Sequence, residues 1–130
     1  MQALPITALT ALAMGTLLIA LTLRVVQFRR RGKVVLGDGG DREVEKAIRA
    51  HGNASEQIPI ALIVLGLAEW HGAPGLLLAL AALAFVGGRL SHGLYFARHG
   101  THWKFRVYGM WATVYSQGAL LLLLLFALLT

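Results

Sequence analysis

The sequence contains no cysteine. That absence removes disulfides, thiolate metal sites and a protein cysteine nucleophile from consideration. Acids are scarce too: six Asp and Glu stand against twelve Lys and Arg, a formal net charge of +6. No low-complexity linker, second-domain boundary or internal repeat interrupts the chain, so one domain is expected over residues 1–130. Apolar residues are abundant, at 57% of the sequence and a mean hydropathy of +0.66, whereas soluble domains hold about 45–50%. A basic surplus beside long apolar runs points to a membrane rather than to nucleic acid, because short cytoplasmic loops collect Lys and Arg.

A spanning helix needs about 20 largely apolar residues. Residues 3–23, ALPITALTALAMGTLLIALTL, supply them without a charge. No basic segment precedes this run and no convincing small-residue cleavage site ends it, so it reads as a first spanning helix rather than a signal peptide. The pattern predicts an all-α integral membrane protein, a bundle of four helices at about 3–28, 42–70, 74–98 and 104–129. In the first loop, GKVVLGDGGDRE, the glycines supply turn chemistry and Asp41 is placed to cap the second helix. No Gly-Lys-Ser/Thr follows, so the loop is not a phosphate cradle. Asp38 and Asp41 alone are a weak calcium pair.

All twelve Lys and Arg fall at the helix ends that meet residues 29–46 or 98–106. Positive-inside bias therefore places those two loops in the cytoplasm and both termini on the non-cytoplasmic side. Arg29 to Lys33 read as a topology signal and a lipid-headgroup contact. Trp70, Trp103 and Trp111 read as interfacial anchors, His71 as a turn residue and Gly87-Gly88 as a close-packing point. His99 and His102 have a metal-pair spacing but no carboxylate or thiolate beside them, so no metal is expected.

The informative residues are polar ones inside helices. At about 100° per residue, Arg49, Asn53 and Glu56 fall within roughly 60° of one another, while His51 points away. On the third helix Arg89, His92 and Phe96 share a stripe and Tyr95 is turned aside; on the fourth, Arg106, Thr113 and Gln117 can share a face. Ionisable groups at membrane depth cost a few kcal/mol each and persist when they pair or line a wet cavity. Arg49 and Glu56, two turns apart, could bridge one another or reach neighbouring helices. A structural polar network is the plain alternative, but Arg49, Arg89 and Arg106 face one nearby acid, Glu56, and a charge-unbalanced cluster suits an anion.

Three motifs then carry a family likeness. Glu45, Arg49, Ala50, Asn53, Glu56 and Pro59 form E-x-x-x-R-A-x-x-N-x-x-E-x-x-P; Gly88 to His92 form G-R-L-x-H; Phe105 to Met110 form F-R-V-x-G-M. The chain resembles the MAPEG family, membrane-associated proteins in eicosanoid and glutathione metabolism, and within it the small bacterial inner-membrane members. The resemblance implies a homotrimer with glutathione between subunits, in the cytoplasmic half of the membrane. It implies that Arg49, Asn53 and Glu56 bind the tripeptide, with Arg89 and His92 as further glutathione-binding residues and Arg30 reaching in from the adjoining subunit. Arg106 stands near the arginine that stabilises the glutathione thiolate in several members. Phe96 stands where many members have tyrosine, Gln57 replaces another, and the loop before Arg106 looks longer than in the leukotriene-synthase type.

The implied chemistry is glutathione-dependent transfer or peroxidase action on lipophilic electrophiles or hydroperoxides, with glutathione as co-substrate. A guanidinium from Arg106, or from Arg89 if the register shifts, would favour the thiolate, which is the nucleophilic form. Alternatively, the same pocket would hold a lipid headgroup or another anionic metabolite without chemistry. A small transporter, resting on Glu56 and His92, lacks the broken helices or inverted repeat that would support it.

Overall fold

The computed structural model describes residues 3–97 and 102–130. Four helices follow one another: α1 (Pro5–Gly32), α2 (Arg42–Trp70), α3 (Gly75–Ala97) and α4 (Lys104–Leu129). Among the described residues there is no strand. α1, α3 and α4 are each long and apolar enough to cross a membrane. α2 is long enough, at about 43 Å for its 29 residues, but its first half is too polar to qualify on composition.

Local chemistry sets the ends. Proline opens α1, where its missing N–H costs nothing. Arg29, Arg30 and Arg31 continue α1 to Gly32, four residues beyond the expected end at 28, and Lys33 closes it in the left-handed region at φ 52°. Basic side chains suit a helix C-terminus, where the carbonyl dipoles collect. Asp41 caps α2 as expected, its Oδ1 accepting from the Glu43 N–H at 2.8 Å. Gly72, at φ 80°, ends α2 and turns the chain into α3.

α2 and α3 occupy the middle of the bundle; α1 packs against both, and α4 packs against both with its backbone set apart from that of α1. α2 buries a stripe of small and aliphatic residues, among them Ala47, Ala50, Ala54, Ile58, Ala61, Leu65 and Ala68. This spacing gives one helical face. Two apolar clusters fill the bundle. One, around Leu65, Leu78, Ala82 and Leu120, lies near the α2–α3 turn. The other, around Met14, Ala54, Ile58 and Phe85, lies nearer the α1–α2 loop.

The tightest contact is between α3 and α4. A Cβ on Gly88 would stand 2.9 Å from the Gly109 carbonyl oxygen, and one on Gly109 would stand 2.6 Å from the His92 nitrogen. The two glycines therefore let the helices cross backbone to backbone. Gly88 fulfils the packing role expected of the Gly87-Gly88 pair; Gly87 does not, since an added Cβ there meets nothing within 4 Å.

At the end of the bundle away from the basic loops, Glu69 of α2 holds the start of α1. Its carboxylate accepts from the Ile6 and Thr7 N–H groups, at 2.9 and 2.8 Å, and from the Thr7 hydroxyl at 2.6 Å. Leu4, at the N-cap, offers no side-chain acceptor. A carboxylate from another helix thus satisfies the free N–H groups and sits at the positive end of the helix dipole.

Candidate functional site

α2, the end of α3 and the start of α4 enclose an open groove of about 700 Å³, lined by Ile48, Arg49, Gly52, Asn53, Glu56, His92, Phe96, Arg106, Val107, Met110 and Trp111. The α2 contribution follows from its periodicity: 48, 49, 52, 53 and 56 form a second face beside the buried alanine stripe. The Gly88–Gly109 crossing brings the α4 residues close to His92.

Five polar residues singled out in the sequence line this groove together: Arg49, Asn53, Glu56, His92 and Arg106. His51 does not line it, as its angular position requires. Phe96 lines it and Tyr95 does not; the Arg106 guanidinium instead lies 5.7 Å from the Tyr95 ring centroid.

Other expectations are corrected. Arg49 does not bridge Glu56; its Nε donates to Glu45 Oε1 at 2.9 Å, on the exposed side of the first turns of α2. A partner one turn away is reached with less side-chain ordering than one two turns away. Among the described residues Glu56 forms no hydrogen bond or ion pair. Arg89 does not line the groove. It is 1% exposed and lies behind the wall, with Nη1 donating to Asn53 Oδ1 at 2.9 Å.

Thr113 and Gln117 do not extend the face of Arg106 into the groove. Thr113 is buried and donates to the Gly109 carbonyl, and the Gln117 amide donates to the Gln57 carbonyl at 3.0 Å, clasping α4 to α2 just before Pro59. Arg30 lies away from this groove, in a shallower one on the outer face of α1 with Arg24, Gln27 and Arg31. His99 of the histidine pair lies outside the described residues, and among those described no cluster of three metal-ligating side chains occurs.

The sequence reading missed Gly109, Glu69 and the Gln57–Gln117 clasp. Each needs the partner helix in place before it has meaning, and helical periodicity carries no such signal.

The groove is cationic in balance: Arg49 and Arg106 face Glu56, and the His92 ring, 5% exposed, has its Nδ1 without a partner. Phe96 packs on that ring at a centroid distance of 5.1 Å. Polar groups on one wall and Phe96, Met110 and Trp111 nearby suit a ligand with a charged body and an apolar extension.

Among the described residues the chain is all helical, three of its helices are long and apolar enough to cross a membrane, and a groove with Arg49 and Arg106 on its lining lies between α2 and α4. The chain belongs to the MAPEG family, whose model matches residues 7–126. It is similar to the inner membrane protein YecN of Escherichia coli strain K12 and to that of Escherichia coli O6:H1. Identity is 38% over 108 residues in both, covering 83% of this chain and 81% of each relative.

Proposed function

We propose that the groove binds glutathione and that the protein is a glutathione-dependent transferase or peroxidase acting on lipophilic electrophiles or hydroperoxides. The observation that carries this reading is the convergence of Arg49, Asn53, Glu56, His92 and Arg106 on one groove, within a family named for glutathione metabolism. The ligand's carboxylates would meet Arg49 and the Asn53 amide, and Glu56 would take its ammonium. Arg106 would favour the thiolate, because a positive charge beside a thiol stabilises its ionised form. It is the better candidate than Arg89, since Arg106 lines the groove and Arg89 is behind its wall.

In one chain Arg106 is exposed, and exposure weakens its field through solvent screening. A neighbouring copy would exclude that water. The reading therefore includes a homotrimer in the bacterial inner membrane, with both termini on the non-cytoplasmic side and Arg30 of one copy approaching the groove of the next. Family kinship to inner membrane proteins and the partition of basic residues support this arrangement. The lipophilic partner would enter from the bilayer.

Thiolate formation tests the chemistry. Glutathione added to the detergent-purified protein should show the ultraviolet absorbance of a thiolate at neutral pH, lost in Arg106→Gln but kept in Arg24→Gln. Equal absorbance in wild type and Arg106→Gln would contradict the assigned role.

A further inference from the structure

Arg89 is the largest fully buried side chain among the described residues, and no carboxylate accompanies it. Its described hydrogen bond is to Asn53 Oδ1, and its Nε has no partner. A guanidinium carries donors and no acceptor. Asn53 must therefore turn its amide oxygen inward, toward Arg89, and cannot turn its N–H₂ there without placing donor against donor. The amide nitrogen is left on the groove side, where it has no partner among the described residues. An asparagine free to flip would present either an acceptor or a donor to a ligand; this one presents a donor alone.

We propose that Arg89 is a positioning residue that locks the Asn53 amide with its N–H₂ toward the groove, so that this point of the site takes a hydrogen-bond acceptor of the ligand, such as a carboxylate or carbonyl oxygen, and not a donor. This rests on the glutathione reading for the identity of the ligand, but not for the Arg89–Asn53 pairing itself. The side chain that looked in sequence like a third cation for the ligand acts through its neighbour. Its charge stays behind the wall, and the groove receives an oriented hydrogen-bond donor. Among the described residues Glu56 is then the sole anionic group on the lining, and Asn53 cannot duplicate it as an acceptor.

Two sets of variants of the full chain in detergent test this. Without ligand, Asn53→Leu strands the buried guanidinium, and its thermal midpoint falls by about 5 °C or more. The Arg89→Met/Asn53→Leu double variant, with both polar partners gone, recovers most of that loss. An Asn53→Leu protein as stable as wild type would overturn the pairing.

With ligand, calorimetry compares glutathione with its diethyl ester, which keeps the carbonyl acceptors but not the carboxylate charges. Arg89→Gln, which can donate or accept and so permits the flip, weakens both ligands by a similar factor of about ten. Arg89→Lys, still an obligate donor, restores both to within a few-fold of wild type. If Arg89→Gln weakens glutathione and spares the ester, Arg89 acts through its field and the positioning role is wrong. If it binds both normally, Arg89 is structural alone. A wild-type protein that binds neither ligand refutes the glutathione reading, and the midpoints then decide the pairing on their own.

Discussion

Arg49 shows how a single side chain divides its charge between fold and ligand. Its contact with Glu45 is largely exposed, at 71% for Arg49 and 44% for Glu45. Such pairs contribute about 0–1 kcal/mol. Glu45→Gln should therefore leave thermal stability within about 0.5 kcal/mol of wild type. It should also tighten anion binding in the groove, because Arg49 loses a competing partner; titration of the two proteins side by side checks both. Glu69 is the opposite case. It satisfies two N–H groups of α1, so Glu69→Ala should cost about 1–2 kcal/mol. Amide exchange at Ile6 and Thr7 should rise while exchange in α4, whose backbone is set apart from α1, stays as it was. The sequence shows Glu45 one helical turn before Arg49 but gives no sign of what Glu69 holds, since its partner Thr7 lies 62 residues away. The stripe of Arg49, Asn53 and Glu56 was legible because it lies within one helix. The inward turn of Arg89 was not, because a helical wheel gives an angle and not the neighbour that fills it.

At the scale of elements, the α3–α4 crossing places His92 against the groove and fixes how far apart its walls stand. Gly109→Ala would force a Cβ to within 2.6 Å of the α3 backbone, and overpacking of that kind costs about 1–3 kcal/mol. Gly87→Ala, with open space at the same helix level, should be neutral or slightly stabilising through helix propensity. Thermal denaturation of the pair in one detergent separates them. The four helices were readable from the sequence because apolar runs of spanning length are strong signals. The overrun of α1 to Gly32 was not, because a run of arginines marks an interface without saying whether the helix stops there. α2 is where sequence and function conflict most. Its Arg49, Asn53 and Glu56 make it a poor spanning helix by composition and the main wall of the groove.

For the whole molecule, the separation of α1 from α4 is decisive. The groove borders α4 and Arg30 lies on the outer face of α1, so within one chain Arg30 cannot contribute to the site. Large apolar side chains cover the outside of the bundle, including Leu9, Ile19, Leu83 and Leu122 at 64–68% exposure. Lipid and neighbouring copies would share that surface. Because the chain has no cysteine, an Arg30→Cys/Trp111→Cys protein treated with a short thiol cross-linker in membranes should give covalent trimers, whereas either single variant should not exceed dimers. The same background tests sidedness. His71→Cys should react with an impermeant maleimide in intact cells, and Asp38→Cys only after the membrane is opened.

Calorimetry on the detergent-purified protein, wild type beside Arg49→Ala, decides whether the α2–α4 groove holds glutathione. The wild type should bind saturably and Arg49→Ala should lose at least about tenfold in affinity, with both proteins folded to the same extent. A folded wild-type protein that gives no heat with glutathione, yet binds anionic lipid headgroups in an Arg49-dependent way, would contradict the glutathione reading and make the groove a headgroup site.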